Sequence, residues 1–275
     1  MINQIDLYFK RELDKRKPSR VVEAMEYSLL SGGKRVRPLM LLYLVKDLGY
    51  ELDKKSYYAA MGVEAIHTYS LIHDDLPALD NDDLRRFKPT NHIVYGEDMA
   101  ILAGDGLLTL GFELLSEARL DARFFEVLGR NAGISGMILG QELDILDEIS
   151  NLDALLNTYS LKTGCLFSSA LEMAVLLADK EHLLEEIKEI GRLLGIVFQI
   201  QDDLLEVKSS EDMIGKSTTS DEKRDLTTIV SFMGVNEAEN FLETLFKDLF
   251  KKIDKLDLQG TEFKEYVSAL INRSY

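Results

Sequence analysis

Residues 68–92 place a run of carboxylates directly beside two arginines. The acids of this stretch are Asp74, Asp75, Asp80, Asp82 and Asp83, followed by Arg85 and Arg86, with a sixth carboxylate, Glu64, further back. Adjacent carboxylates at the end of an apolar helix repel each other and face the negative end of the helix dipole, so a cation should be bound there. Ligands that are all oxygen suit Mg²⁺ or Ca²⁺ better than Zn²⁺. Because the arginines favour an anion, the stretch predicts a metal ion together with a phosphate.

Pro77 decides how this first acidic group is arranged. On an unbroken helix Asp80 would lie about 120° around the axis from Asp74, so the two would not share a face. Pro77 removes a backbone donor and should end or kink the helix, which would swing Asp80 back towards Asp74. The simpler alternative is an acidic helix end whose charge is balanced by Arg85 and Arg86.

A second acidic group follows another apolar helical run. Asp202 and Glu206 are four residues apart and share one helix face, with Asp203 beside them. Taken alone, this group is equally compatible with a solvated helix end. Two acidic groups that face one cavity could instead hold several Mg²⁺ ions around a diphosphate.

The first group of cations consists of Lys34, Arg35 and Arg37. A glycine pair before it should end one helix, and Pro38 after it suits the first turn of the next. The group is either a helix end with solvated cations or a clamp for a diphosphate.

Two further cationic sites come later in the chain. Lys162 and Thr163 precede a glycine inside an apolar helical run, where a lysine snorkels, pairs or meets a ligand. Lys216, Lys223 and Arg224 lie in the polar stretch 207–225. We expect this stretch to be a long loop and a natural lid.

The composition limits the class of protein. A net charge of −16 argues against nucleic acid and against an anionic membrane surface as partners. One cysteine excludes an internal disulfide and fits a reducing compartment. The N-terminal residues are amphipathic rather than a signal peptide, and no apolar run approaches the roughly 20 residues of a membrane span. We therefore expect a soluble, cytoplasmic protein with no nucleic-acid partner and no membrane span.

Apolar residues recur at helical spacing through almost the whole chain, and alternating strand patterns are absent. Hydrophobic residues make up 46% of the sequence, which is ample for a large core. We predict an all-α fold of roughly ten or more helices, with residues 1–275 in a single domain. Near the end of the chain the helical pattern extends to about Ile253 and resumes at Glu262.

Several short motifs occur in the order found in the trans-isoprenyl diphosphate synthases, and the chain resembles the bacterial farnesyl diphosphate synthases most. The motifs are GGKRVRP at residues 32–38, HTYSLIHDDLPALDNDDLRRFKPTNH at 67–92, AILAGDGLL at 100–108, GQELD at 140–144, KTG at 162–164, FQIQDDLLE at 198–206 and GK at 215–216. The first aspartate-rich motif with its arginine pair is highly specific, whereas KTG or GK alone carries no weight. The resemblance implies a helical bundle around a deep central cavity, with the two aspartate-rich motifs facing each other.

The resemblance also implies roles for individual residues. Mg²⁺ on an allylic diphosphate would be held by Asp74, Asp75, Asp80, Asp202 and Asp203. The same diphosphate would be contacted by Lys216 and by the catalytic group of Arg85, Lys162, Thr163 and Gln199. Isopentenyl diphosphate would be held by Lys34, Arg37, His67 and Arg86. A homodimer is expected from the resemblance alone.

The implied reaction is a Mg²⁺-dependent condensation of dimethylallyl or geranyl diphosphate with isopentenyl diphosphate through an allylic carbocation. Tyr69, five residues before Asp74, should point about one turn deeper into the cavity, where a bulky ring would stop chain growth. With the two-residue insertion in DDLPALD, the pattern resembles farnesyl producers. Geranyl and geranylgeranyl diphosphate are the alternative products.

Three positions depart from the family pattern. Glu206 stands where the family usually has aspartate, Leu139 where glycine is usual, and Leu226 where a lysine is usual. The last change removes a cation from the allylic diphosphate unless Lys223 or Arg224 substitutes for it. We therefore expect lower activity than in a Leu226→Lys variant.

Three other functions are alternatives to prenyl transfer. A terpene cyclase of the same fold would have no reason to keep the isopentenyl site of Lys34, Arg37 and His67. A non-catalytic partner subunit of a synthase is left open by Leu226, although both acidic motifs survive. A Ca²⁺-binding structural protein is disfavoured because the DNDD run lacks the glycine and the terminal glutamate of an EF-hand loop.

Overall fold

The structure is a computed structural model that describes residues 1–213 and 227–271, and these ranges are almost entirely helical. The helices are α1 (Ile2–Asp14), α2 (Arg20–Leu30), α3 (Val36–Asp47), α4 (Lys54–Asp74), α5 (Asn91–Tyr95), α6 (Glu97–Glu117), α7 (Ala122–Ala132), α8 (Met137–Leu146), α9 (Leu152–Tyr159), α10 (Cys165–Leu177), α11 (Leu184–Met213), α12 (Ile229–Met233), α13 (Val235–Ile253) and α14 (Glu262–Ile271). A π-helical turn, Ser160–Gly164, joins α9 to α10, and a 3₁₀ turn, Glu181–Leu183, precedes α11. The predicted all-α fold is confirmed.

Helices α4 and α10 form the centre of the bundle. Helix α4 begins at a capping box formed by Asp53 and Ser56 and packs against α3, α6 and α10. Every residue of α10 is buried. A helix that is buried on all sides belongs in the interior, so α10 marks the middle of the fold and α4 packs beside it. The buried residues of the described ranges form one core cluster, and the single-domain assignment of residues 1–275 stays a prediction.

Two helical stretches, Glu97–Glu117 and Leu152–Leu177, are long and apolar enough to cross a membrane by length and composition alone. Polar residues interrupt both stretches, so neither contains the continuous apolar run that marks a membrane span in a sequence. The most apolar windows of the two stretches are 44% and 83% buried inside the fold. Helix α10 packs against α3 and α11, so we interpret the second stretch as a core helix, whereas α6 packs along α4 and is only partly buried.

Close backbone contacts hold the π-helical turn in place. A Cβ atom added to Gly140 of α8 would collide with the backbone of Lys162. A Cβ atom added to Gly195 of α11 would collide with the Cα of Gly164. Glycine at these two positions therefore lets α8 and α11 approach the turn that carries Lys162 and Thr163.

Two local features differ from the sequence prediction. Helix α11 continues to Met213, beyond the predicted loop start at Val207, because the intervening residues contain no helix breaker. Residues 84–89 form a short antiparallel hairpin of β1 (Leu84–Arg85) and β2 (Lys88–Pro89). Its turn residues Arg86 and Phe87 adopt φ angles of +54° and +62°. Glycine or asparagine usually occupies such positions, so the sequence gives no signal for this turn. Lys216, Lys223, Arg224 and Leu226 lie outside the described residues.

Candidate active site

A cavity of about 460 Å³ opens between α4, α8 and the π-helical turn. Five of the predicted site residues line it, namely Arg37, His67, Asp74, Lys162 and Thr163. Much of the remaining wall is apolar and includes Tyr69, Leu71, Met137 and Ile138. The cavity therefore offers charged groups to an anion and an apolar surface to a hydrocarbon chain.

Asp74 and Asp80 come together where α4 ends. The helix stops at Asp74, and the backbone N–H of Asp80 donates to the carbonyl oxygen of Asp74 at 2.9 Å. The turn that contains Pro77 thus returns Asp80 to Asp74, as predicted. Burial raises the pKa of Asp74 to about 7, with Lys162 opposing the shift and Asp80 adding to it. A carboxyl group in this environment is stabilised as an anion by a bound cation.

Asp75 is bound to Arg85 in this structure. The Asp75 Oδ1 atom lies 2.6 Å from Nε and 2.5 Å from Nη2 of Arg85. Asp75 is buried and does not line the cavity. Asp75, a predicted metal ligand, and Arg85, a predicted diphosphate contact, are therefore bound to each other. Either residue can take its predicted role only if this ion pair breaks.

A hydrogen-bonded chain joins Thr163 to the second acidic group. Thr163 Oγ1 donates to Gln199 Oε1 at 3.2 Å, and Gln199 Nε2 donates to Asp203 Oδ1 at 3.1 Å. Tyr159 donates its hydroxyl to Asp203 Oδ2 at 2.5 Å. The chain brings the predicted residues Thr163 and Gln199 together, but it holds Asp203 in the interior. Asp202, by contrast, is exposed and close enough to raise the pKa of Arg37, which burial lowers to about 10.

The acidic residues do not form a closed metal cage in the part of the chain that the structure describes. Within residues 1–213 and 227–271, no three His, Cys, Asp or Glu side chains are grouped closely enough to hold a metal ion unaided. Asp74 and Asp80 are nevertheless close enough for the charge of Asp80 to raise the pKa of Asp74. Such carboxylate donors fit Mg²⁺, which is usually bound through one or two carboxylates together with substrate phosphates and water.

Lys162 lies in the cavity wall and is held by a residue that the sequence analysis did not assign. Its Nζ atom is 2.5 Å from Oδ2 of Asp144 on α8. Gln141, one turn earlier on α8, also lines the cavity, and its buried Nε2 has no hydrogen-bond partner among the described residues. Both residues belong to the GQELD motif, whose presence was the only available signal for them.

The predicted isopentenyl-binding residues form a second cationic cluster. Arg86 donates to the carbonyl oxygen of Gly32, and its guanidinium lies against Gly33. Burial and then the charges of Arg37 and Arg86 lower the pKa of His67 well below its usual value. Lys34 is exposed on the same loop. The structure thus brings Arg37, Arg86 and a neutral His67 together.

Arg35 does not share the role of its neighbours. It is 3% exposed, with a φ of +48°, and pairs with Glu64 at 2.9 Å and Asp6 at 2.8 Å. Glu64 therefore balances Arg35 and is not a sixth member of the acidic group near Asp74. Because Lys34, Arg35 and Arg37 are equivalent in the sequence, only the fold shows that Arg35 is the one paired with Glu64 and Asp6.

We expect His67 to make the protein sensitive to acid. Its imidazole stays neutral in the folded protein but is protonated in the unfolded chain below pH ~6.5, so acid stabilises the unfolded chain. The free energy of unfolding should fall by up to about 1.4 kcal/mol per pH unit below that value, and His67→Gln should remove this contribution. Urea unfolding of both proteins between about pH 7.5 and pH 5 measures it, with the exposed His182→Gln as control. The expectation would be contradicted if the difference in the free energy of unfolding between the wild type and His67→Gln did not change with pH.

Comparisons with known proteins give the family of the chain. The sequence profile of the polyprenyl synthetase family matches residues 18–259. The chain is 38% identical over 264 residues to the farnesyl diphosphate synthase of Geobacillus stearothermophilus, covering 92% of this chain and 88% of that protein.

Solved structures give the same family. The geranyltransferase of Legionella pneumophila superposes with a TM-score of 0.85 at 32% identity, over 99% of this chain and 95% of that one. The geranyltransferase of Helicobacter pylori, in complex with magnesium and isoprenyl diphosphate, gives 0.82 at 33% identity, over 98% and 95% of the chains. The chain belongs to the polyprenyl synthetase family and is a trans-prenyltransferase of the type that farnesyl diphosphate synthases represent.

Proposed function

We propose that the enzyme condenses an allylic diphosphate with isopentenyl diphosphate in the presence of Mg²⁺ and that its end product is farnesyl diphosphate. One observation carries the proposal. The 460 Å³ cavity has Asp74, Lys162 and Arg37 among its polar residues and an otherwise largely apolar wall. Such a cavity suits a substrate with a diphosphate head and a hydrocarbon tail.

The allylic diphosphate is proposed to bind between the two acidic groups. Asp74 and Asp80, together with Asp202, would hold Mg²⁺, and Asp75 and Asp203 would join them only by leaving Arg85 and Tyr159. Mg²⁺ bound there would neutralise the charge that develops on the leaving diphosphate. Titration with Mg²⁺ would give the number of ions bound at this site. Lys162 would exchange Asp144 for a phosphate oxygen, and Arg85, Thr163, Gln199 and Lys216 would complete the contacts.

Isopentenyl diphosphate is proposed to bind at the second cationic cluster. Arg37 and Arg86 supply positive charge, exposed Lys34 adds another, and neutral His67 can donate a hydrogen bond. The apolar wall would exclude water, which would otherwise quench the allylic carbocation.

The partner of this chain is proposed to be a second copy of itself. Adjacent helices α5 and α6 expose four apolar side chains, Ile93, Val94, Ile101 and Leu102. An isologous contact would cover this apolar face on both copies. Light scattering on the purified protein would measure the dimer mass, and a monomer at micromolar concentration would contradict it. We infer a cytoplasmic location from the free, buried cysteine and from the packing of both apolar stretches against the helical bundle.

The reaction is tested by incubating the protein with Mg²⁺, isopentenyl diphosphate and either dimethylallyl or geranyl diphosphate, and separating the products by chain length. Farnesyl diphosphate as the end product supports the proposal. Products that stop at geranyl or continue to geranylgeranyl diphosphate would support the alternative synthases. No turnover with either allylic substrate would favour a non-catalytic subunit.

We expect Tyr69→Ala to lengthen the product. Tyr69 is 7% exposed, lines the cavity and packs edge-on against His73 at 5.8 Å between ring centroids. Removing the ring opens space beyond the growing chain, so most of the product should be longer than farnesyl diphosphate. Chromatography of the dephosphorylated products measures this. Tyr57→Ala on the same helix, which packs against Tyr8 away from the cavity, should leave the product unchanged.

A further inference from the structure

The Arg37 side chain rests on an aromatic ring. Arg37 lies in the first turn of α3, and its guanidinium carbon is 4.5 Å from the ring centroid of Phe167 on α10. This is within the range of a cation–π interaction. Phe167 is 1% exposed and packs against Phe198 at 5.7 Å between centroids, so the ring is fixed in the core.

At least one N–H group of Arg37 has no partner within the described parts of the chain. Its buried Nε has no hydrogen-bond partner among the described residues. Glu64, a carboxylate close enough to influence Arg37, is already bound to Arg35 at 2.9 Å. A buried cation needs compensation, and an aromatic face provides it without accepting any of the N–H bonds. A carboxylate in the same place would compete with an incoming diphosphate for those donors.

We propose that Phe167 is a positioning residue for the second substrate: its ring holds the Arg37 guanidinium in the cavity wall while leaving the guanidinium donors available to the diphosphate of isopentenyl diphosphate. This inference rests on the proposed function, in which Arg37 binds that substrate. It assigns to α10 a part in substrate selection that is separate from the contacts of Lys162 and Thr163.

The test replaces the ring by side chains of similar volume. Phe167→Leu and Phe167→Met should each raise KM for isopentenyl diphosphate about tenfold, which corresponds to the loss of a desolvated cation–π contact. KM for the allylic diphosphate and kcat should change by less than about twofold, since Arg37 is not proposed to touch that substrate. Phe167→Tyr keeps the ring and should keep a KM near that of the wild type. Phe124→Leu, a buried ring on α7, is the matched control for loss of core volume.

A double-variant cycle separates this inference from its premise. Arg37→Gln should raise KM for isopentenyl diphosphate, and adding Phe167→Leu should then raise it no further. If Arg37→Gln raises that KM but neither ring-free variant does, the proposal is overturned while the proposed function stands. Equal increases in KM for both substrates would overturn it too, because they indicate general disorder. If Arg37→Gln has no effect, the premise fails and the role of Phe167 fails with it.

Discussion

Asp74→Ala should reduce kcat/KM for prenyl transfer by roughly a thousandfold or more. Asp74 is the last residue of α4 and lies in the wall of the cavity. The backbone of Asp80 is hydrogen-bonded to it. Alanine would remove carboxylate oxygens proposed to hold Mg²⁺ against the diphosphate, so the charge of the leaving group would lose its main compensation. Steady-state turnover of radiolabelled isopentenyl diphosphate at saturating geranyl diphosphate would measure the loss.

The same variant can be checked without relying on turnover. Calorimetry would measure the magnesium-dependent binding of a non-reactive allylic diphosphate analogue. The affinity for this analogue should be lower in Asp74→Ala than in the wild type. Asp248→Ala, an exposed carboxylate on α13, should match the wild type in both assays and serves as the control for lost net charge. An Asp74→Ala enzyme that keeps the wild-type rate would refute the assignment of this residue to the metal.

Lys162→Met should lower kcat/KM about a hundredfold or more, the second largest effect that we expect. The lysine lies in the cavity wall, is close enough to lower the pKa of Asp74, and is paired with Asp144. Methionine keeps most of the length of the chain but removes the charge that would stabilise the departing diphosphate. The ionisation step would then be slowed, and single-turnover kinetics with bound substrates would show it.

The loss in Lys162→Met should appear mainly in kcat, because the charge on the leaving oxygens grows in the transition state. Lys251→Met, at an exposed position on α13, is the matched substitution far from the cavity. A Lys162→Met variant affected only in KM would show that the lysine binds the ground state and the transition state equally.

The helical fold and the first acidic turn were predictable because local rules govern them. Helical periodicity runs through the sequence, and a proline three residues after Asp74 ends the helix in a known way. The return of Asp80 to Asp74 follows from that turn. The helix boundaries near Ile253 and Glu262 were predicted for the same reason.

The pairings across the cavity could not be predicted because they join residues far apart in the chain. Arg35 contacts Glu64 only when α3 has packed against α4. Lys162 contacts Asp144 only when α8 has packed against the π-helical turn. No local pattern distinguishes a buried arginine from its exposed neighbour Lys34. The π-helical turn is also invisible to a helical periodicity that is averaged over many residues.

The close approach of α8 and α11 to the π-helical turn has a consequence for mutant libraries. In saturation mutagenesis scored by growth, Gly140 and Gly195 should tolerate substitutions as poorly as the residues that bind substrate. Their depletion would report a failure to fold, since any side chain there would strike backbone. A parallel measurement of protein abundance would separate the two classes, and libraries that aim at new chain lengths should leave both positions unchanged.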